Sequence, residues 1–258
     1  MPRSETGAVL EPTRGRRVIN ARAWTCLERC RRKLDLSEIP LPVPVESWVE
    51  GPLGIRLGFE DLSGLGPEVL GAAYVREREI LIDPRGLNHE GRLRFTCAHE
   101  LGHVTLHRRV RPVFHENVNV GSFVNPDRYE RQADRFAAAF LMPVPLLERE
   151  LLSVLKERKL RCGKAVVELM QDTEESRWIW RSIVLPEMAK RFGVSYTAAV
   201  YRFHDVQPKM RYPRPLMPRK FIQPLLTGTS ENGFSDSIWI EDGIVSARDL
   251  FTFESRGD

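Results

Sequence analysis

His99-Glu100-Leu101-Gly102-His103 decides how the rest of the chain is read. On an α-helix, residues four apart lie on one face about one turn from each other, so both imidazoles can reach a single metal ion. Glu100 stands beside them, placed to take a proton from a water held on that ion. The flanking sequence supplies the helix. Asn88 reads as an N-cap, Glu90 falls in the first turn, and Pro112 blocks continuation. Leu93, Cys97, Leu101 and Val104 form one apolar stripe, while Phe95 and Leu106 share another side with the two histidines. A helix that is apolar on two sides sits at the centre of its domain. Gly102 costs about 1 kcal/mol relative to alanine in mid-helix, and close approach of another backbone would account for it.

A catalytic zinc takes three protein ligands and a water, so a third donor is expected. His107 is too far along the helix from His99, by a rise of about 12 Å, for one ion to hold all three histidines. His115 follows Pro112, and geometry leaves it open. Glu130 is the stronger candidate. It lies in a second helix with Asn125 as N-cap and Pro126 at the first helical position. Phe136, Ala137, Phe140 and Leu141 form the apolar face of that helix, and Pro143 ends it. Asp134 lies one turn beyond Glu130 on the same face. A carboxylate there can accept a hydrogen bond from the free ring nitrogen of a ligand histidine and fix its tautomer.

Two blocks now stand out: Phe95-Thr96-Cys97-Ala98-His99-Glu100-Leu101-Gly102-His103-Val104-Thr105-Leu106-His107, and Glu130-Arg131-Gln132-Ala133-Asp134-Arg135-Phe136-Ala137-Ala138-Ala139-Phe140-Leu141-Met142-Pro143. At this separation they resemble the ImmA/IrrE family of zinc metallopeptidases, whose blocks read FTxAHELGHxxLH and ExxAxxFAaxLLMP. The resemblance covers roughly residues 50–205. It implies an α+β fold with a zincin-like minimal metallopeptidase core: a small antiparallel sheet, the active-site helix, then a second ligand helix. A helical C-terminal hairpin and a weakly structured C-terminal extension follow. The resemblance implies one Zn2+ per chain, held by His99, His103 and Glu130 in the E-x-x-x-D manner of gluzincins. Glu100 is then the base and Asp134 the support behind a ligand histidine. It also implies a protein substrate, a helix-turn-helix transcriptional repressor cleaved to induce genes.

Length and composition set the frame. The 258 residues allow one large domain, or one domain with appendages, and an ample core. The greasiest stretch, Phe136 to Leu147, is interrupted by Pro143 and Pro145, so no membrane span is expected. The N-terminus carries no apolar segment of a signal peptide. Four cysteines in this length do not suggest a disulfide framework; Cys26 and Cys30, lacking nearby partner ligands, read as core thiols. Together these features predict a cytoplasmic protein. The net charge is +4, with a basic segment at 1–33 and an acidic one at 228–258, which can pair with each other or meet a charged partner.

The chain divides into four stretches. Residues 1–17 read as a disordered basic arm. Residues 18–145 form the catalytic core with an N-terminal helix, in which Ile19, Ala23, Cys26, Leu27 and Cys30 have helical spacing. A stiff proline-rich connector spans Ile39 to Val45. Strands are predicted at Ile55–Phe59, Gly71–Val75 and Glu79–Ile82, with a hairpin turn at Arg76–Arg78. Residues 146–206 form a helical subdomain in which Met188 to Phe203 resembles a helix-turn-helix, with Gly193 in the turn. Residues 207–258 are a proline-rich linker and extension, where Phe234, Ile238, Trp239 and Ile240, and later Val245, Leu250, Phe251 and Phe253, suggest one or two short strands.

Two functions are weighed. The first is a zinc endopeptidase, which needs a donor for the oxyanion formed during attack. Tyr201 is preferred, then His204 and Tyr129. The second is a DNA-binding regulator with a structural or degenerate zincin core. The segment from Ser195 to His204 carries few base-reading side chains, so a hairpin packed on the core and lining the cleft explains it better. A nucleic-acid partner is not expected.

Overall fold

The computed structural model describes residues 12–67, 69–85, 90–117, 128–160, 165, 169, 171, 173–206, 240–241 and 244–245. The first helix, α1, runs from Pro12 to Lys33 and so begins earlier than its apolar spacing predicts. It buries Ile19, Ala23, Leu27 and Cys30, while Cys26 is half-buried. The proline-rich connector gives way to a short helix, α2 (Val45–Glu50), whose Val45, Trp48 and Val49 are buried.

Four strands follow: β1 (Arg56–Phe59), β2 (Val69–Tyr74), β3 (Glu79–Ile82) and β4 (Val113–Asn117). Their order in the sheet is β1-β3-β2-β4. The expected hairpin joins β2 and β3 antiparallel, with Tyr74 opposite Glu79. The expectation of an antiparallel sheet is corrected at β1, which pairs parallel with β3, Arg56 opposite Glu79. The reason is topological. The segment after β1 carries the chain past the place β3 will take, and the tight hairpin then lays β3 between β1 and β2. The strand β4 was not foreseen, because Val-Phe-His-Glu-Asn alternates weakly and follows a proline. It pairs antiparallel with β2 and closes the other edge of the sheet.

The motif helix, α3, spans Glu90–Leu106, and every residue from Phe95 to Val104 is buried. One side rests on β2 and β3, another on α4 (Arg128–Leu141), and α1 packs on α4 from beyond. This all-round burial is what two apolar stripes on one helix require. The expected caps Asn88 and Asn125, with Pro126, lie outside the described residues. Gly102 has the close backbone neighbour its cost called for: a β-carbon there would lie 3.1 Å from Ala133 Cα and 3.2 Å from Ala133 O.

After α4 come α5 (Val144–Glu157) and α6 (Glu174–Ile179), which runs through a π-helical turn at Trp180–Val184 into α7 (Leu185–Phe192). Gly193 stops α7 in the left-handed conformation, φ 61°. Ser195 then caps α8 (Tyr196–Asp205), its hydroxyl accepting from Ala198 N–H. This hairpin is part of the central core. Met188, Phe192, Val200 and Phe203 are buried in the main apolar cluster, and Val194 packs against it. Burying each such side chain contributes on the order of 1.5–3 kcal/mol. Arg94 of α3 donates to the Gly193 carbonyl at 3.1 Å. Arg202, also buried, donates to Met142 O at 2.8 Å and to Asn20 Oδ1 of α1 at 3.0 Å.

Beyond Val206, only two short paired strands are described, β5 (Ile240–Glu241) and β6 (Ile244–Val245). The proline-rich linker, the other apolar positions of the extension and the first eleven residues lie outside the described residues. Among the described residues, no helix is long and apolar enough to cross a membrane.

Candidate metal centre

Helical spacing puts His99 and His103 on one face of α3, and the α3–α4 contact brings Glu130 to them. One ligand atom from each of the three residues lies within 4.8 Å of the others. The two Nε2 atoms are 3.0 Å apart. Glu130 Oε2 lies 3.2 Å from His99 Nε2 and 3.4 Å from His103 Nε2. These spacings test the fit of a metal. Three ligands on a tetrahedral ion, with bonds of about 2.0–2.1 Å, stand about 3.3 Å from one another. Two imidazoles and one carboxylate also match the donor set of a catalytic zinc with one position left for water. The residues present therefore fit such an ion.

Burial shapes the charges. It pushes the His103 imidazole down to about 4, against the pull of Glu130. Burial works to raise the Glu130 carboxyl, but the imidazoles of His103 and His99 outweigh it and hold the group well below the usual carboxylate range. Burial thus favours a neutral His103 imidazole, and Glu130 stays ionised beside it, the protonation states a divalent cation requires of these two groups.

Each imidazole is also held from behind. His99 Nδ1 lies 2.9 Å from Asp134 Oδ1. His103 Nδ1 lies 3.0 Å from His107 Nδ1, and His107 Nε2 lies 3.0 Å from Gln132 Oε1. Phe114 of β4 stacks on His103, centroids 4.2 Å apart. Tyr129 meets His107 edge-on at 5.1 Å, with Arg128 over its ring at 4.7 Å. Of these, only Asp134 was named as a support in the sequence. His107 is too far along α3 to share an ion with His99, and its place one turn beyond His103 is the sequence signal for this support. Phe114 and Gln132 give no signal without the tertiary arrangement.

Glu100 is fully buried and faces the sheet. A β-carbon at Gly71 of β2 would lie 2.5 Å from Glu100 Oε1 and 2.8 Å from Thr96 Cγ2. The carboxylate therefore occupies the space that a side chain at 71 would fill. A glycine within a strand marks such an approach.

The other candidates are placed as follows. His115 pairs in register with Ala72. Alternation along β4 sends it to the face opposite Phe114 and so away from the cluster. Tyr201 is buried in α8, burial raises its phenol, and its hydroxyl hydrogen-bonds to no group among the described residues, those of the cluster included. Its neighbour Arg202 is fixed at Met142, roughly 18 Å along α4 from Glu130 at helical rise. The side chain of His204 lies outside the described residues.

A comparison with curated proteins finds no match. The family of peptidases described as the IrrE N-terminal-like domain matches residues 53–204, from just before β1 to the end of α8. With more than half its length inside that match, and with both motif helices in it, the chain belongs to the IrrE N-terminal-like peptidase family.

Proposed function

We propose that the chain is a zinc-dependent endopeptidase that cuts a peptide bond in a helix-turn-helix transcriptional repressor and so induces genes. The observation that carries the peptidase reading is the convergence of His99, His103 and Glu130, with Glu100 beside them on the same helix. The repressor as substrate rests on the family resemblance.

A zinc ion held by these three residues would supply a Lewis acid that lowers the pKa of its water toward about 7. His99 and His103 offer Nε2, and Glu130 offers a carboxylate oxygen that offsets part of the cation's charge. Glu100 accepts the water proton on a carboxylate oxygen as the scissile carbonyl is attacked, then delivers it to the leaving amine nitrogen. Its position against Gly71 leaves the carboxylate little room to turn away. Among the described strands β4 lies at the edge of the sheet, and it reaches His103 through Phe114. Its outer edge can accept an extended peptide by main-chain hydrogen bonds. A DNA-reading role for the hairpin draws no support from α8, whose residues 198–203 are buried.

The test combines metal analysis with cleavage of a purified repressor, read by mass spectrometry. One zinc per chain and a single internal cut are expected. Glu100→Gln should keep the zinc and lose the cut. Cleavage that survives this change, or a chain that takes up no zinc, overturns the peptidase reading. Zinc binding with no cut in the repressor, but with cleavage of other polypeptides, overturns the substrate alone.

A further inference from the structure

The pair His107–Gln132 has no part in the scheme above, yet both His107 nitrogens are engaged. Gln132 offers its carbonyl oxygen to His107 Nε2 at 3.0 Å. A carbonyl only accepts, so this nitrogen carries the proton. A neutral His107 with its proton there keeps a lone pair at Nδ1, the atom that faces His103 Nδ1 at 3.0 Å. His103 must therefore donate from Nδ1, which frees the lone pair of its Nε2, the atom that meets His99 and Glu130. We infer that His107 and Gln132 are positioning residues that set the proton of His103 on Nδ1 and aim its Nε2 at the metal. This inference rests on the reading of His103 as a ligand.

The arrangement makes the two ligand histidines unequal. His99 leans directly on a carboxylate, Asp134. His103 leans on a neutral amide through a second imidazole. Both imidazoles of that arm are buried, His103 completely and His107 to 2 % exposure, so solvent does not compete for their nitrogens. Phe114 and Tyr129 hold the ring planes, stacking on His103 and meeting His107 edge-on. His107 cannot itself join the ion, because its Nδ1 is turned to His103 and its Nε2 to Gln132.

Two measurements test this. The first is long-range 1H–15N correlation on protein with 15N-labelled histidine, with and without zinc. His107 should show a bare Nδ1 and a protonated Nε2, and His103 a protonated Nδ1. The second is zinc affinity, read by competition with a chromophoric chelator. Gln132→Met keeps length but removes the acceptor; it should mix the His107 tautomers and weaken zinc about 10- to 100-fold. Gln132→Glu restores an acceptor and should restore both readings. Gln132 is half-buried, outside the core, so the thermal midpoint of Gln132→Met should stay near that of the unaltered protein. The opposite tautomer at His107, or unchanged zinc affinity in Gln132→Met, overturns the relay. A chain that binds no zinc overturns the metal reading instead, while the tautomers measured without metal still decide the relay.

Discussion

Gly102 of α3 and Ala133 of α4 touch backbone to backbone: a β-carbon on Gly102 would lie 3.1 Å from Ala133 Cα and 3.3 Å from Phe136 Cβ. This contact sets the distance between the helix that bears the two histidines and the helix that bears Glu130.

Gly102→Ala therefore opposes two effects. Alanine favours the helix by about 1 kcal/mol, while overpacking against a neighbouring backbone costs about 1–3 kcal/mol. Helix backbone yields less readily than a side-chain tip, so a net loss of stability is expected, together with weaker zinc binding as Glu130 moves outward. Urea unfolding and a chelator competition check the two parts separately. Unchanged zinc affinity would show that the spacing of the ligands is set elsewhere.

Gly71→Ala acts on chemistry through a different contact. The new methyl would take the place of Glu100 Oε1, 2.5 Å away, and press on Thr96. A shift of the carboxylate by about 1 Å can lower turnover about 100-fold. The three ligands are untouched, so zinc stoichiometry should hold. Cleavage kinetics with metal analysis on the same sample decide it, and full activity would remove Gly71 from any role in placing Glu100.

Tyr201→Phe asks whether the phenol works as an oxyanion donor. The hydroxyl is buried with no hydrogen-bond partner among the described residues, so its removal should leave stability unchanged or raise it by up to about 1 kcal/mol. With Arg202 anchored at the far end of α4, turnover should stay within about threefold, whereas loss of a true donor costs about 100-fold or more. A fall of that size with a steady KM would assign the donor to Tyr201.

Asp83 offers a pH test away from the centre. It is buried and accepts from Leu62 N–H and from Arg85, all at 2.8 Å. The Arg85 side chain, helped by the two backbone donors, holds the carboxyl well below its usual range despite burial. A depressed folded value means the stabilisation is complete above the unfolded value, about 4, and is lost as pH falls from there through the folded value. Arg85 is 44 % exposed, so solvent screening limits the gain to about 1–2 kcal/mol. Asp83→Asn should lower stability by that amount at pH 7, and the difference should shrink below about pH 4. A constant difference across that range would place the effect in packing.

The candidate metal cluster was legible in two pieces, each of them local. The spacing of His99 and His103 on α3, and of Glu130 and Asp134 on α4, needs only helical periodicity to read. Gly102 also announced itself, since a mid-helix glycine has a cost that asks for a cause. The parallel pairing of β1 with β3 was not legible, because the strand that comes between β1 and β2 is written after both. The same holds for Phe114 on His103 and Gln132 on His107, where the partners sit on different elements and neither residue type announces the pairing.

The unbroken burial from Phe95 to Val104 has a consequence for how this protein can vary. On most helices an exposed face absorbs substitutions at little cost, and chemistry can be adjusted on one side while the other keeps the fold. Here the face that packs and the face that reacts are both enclosed, so a change at any of these positions alters both at once. Tolerance to change is displaced onto the rim, to half-buried Arg131 and to the outer edge of β4. Variation in preference between substrates is expected there, on residues that can be exchanged without reopening the core.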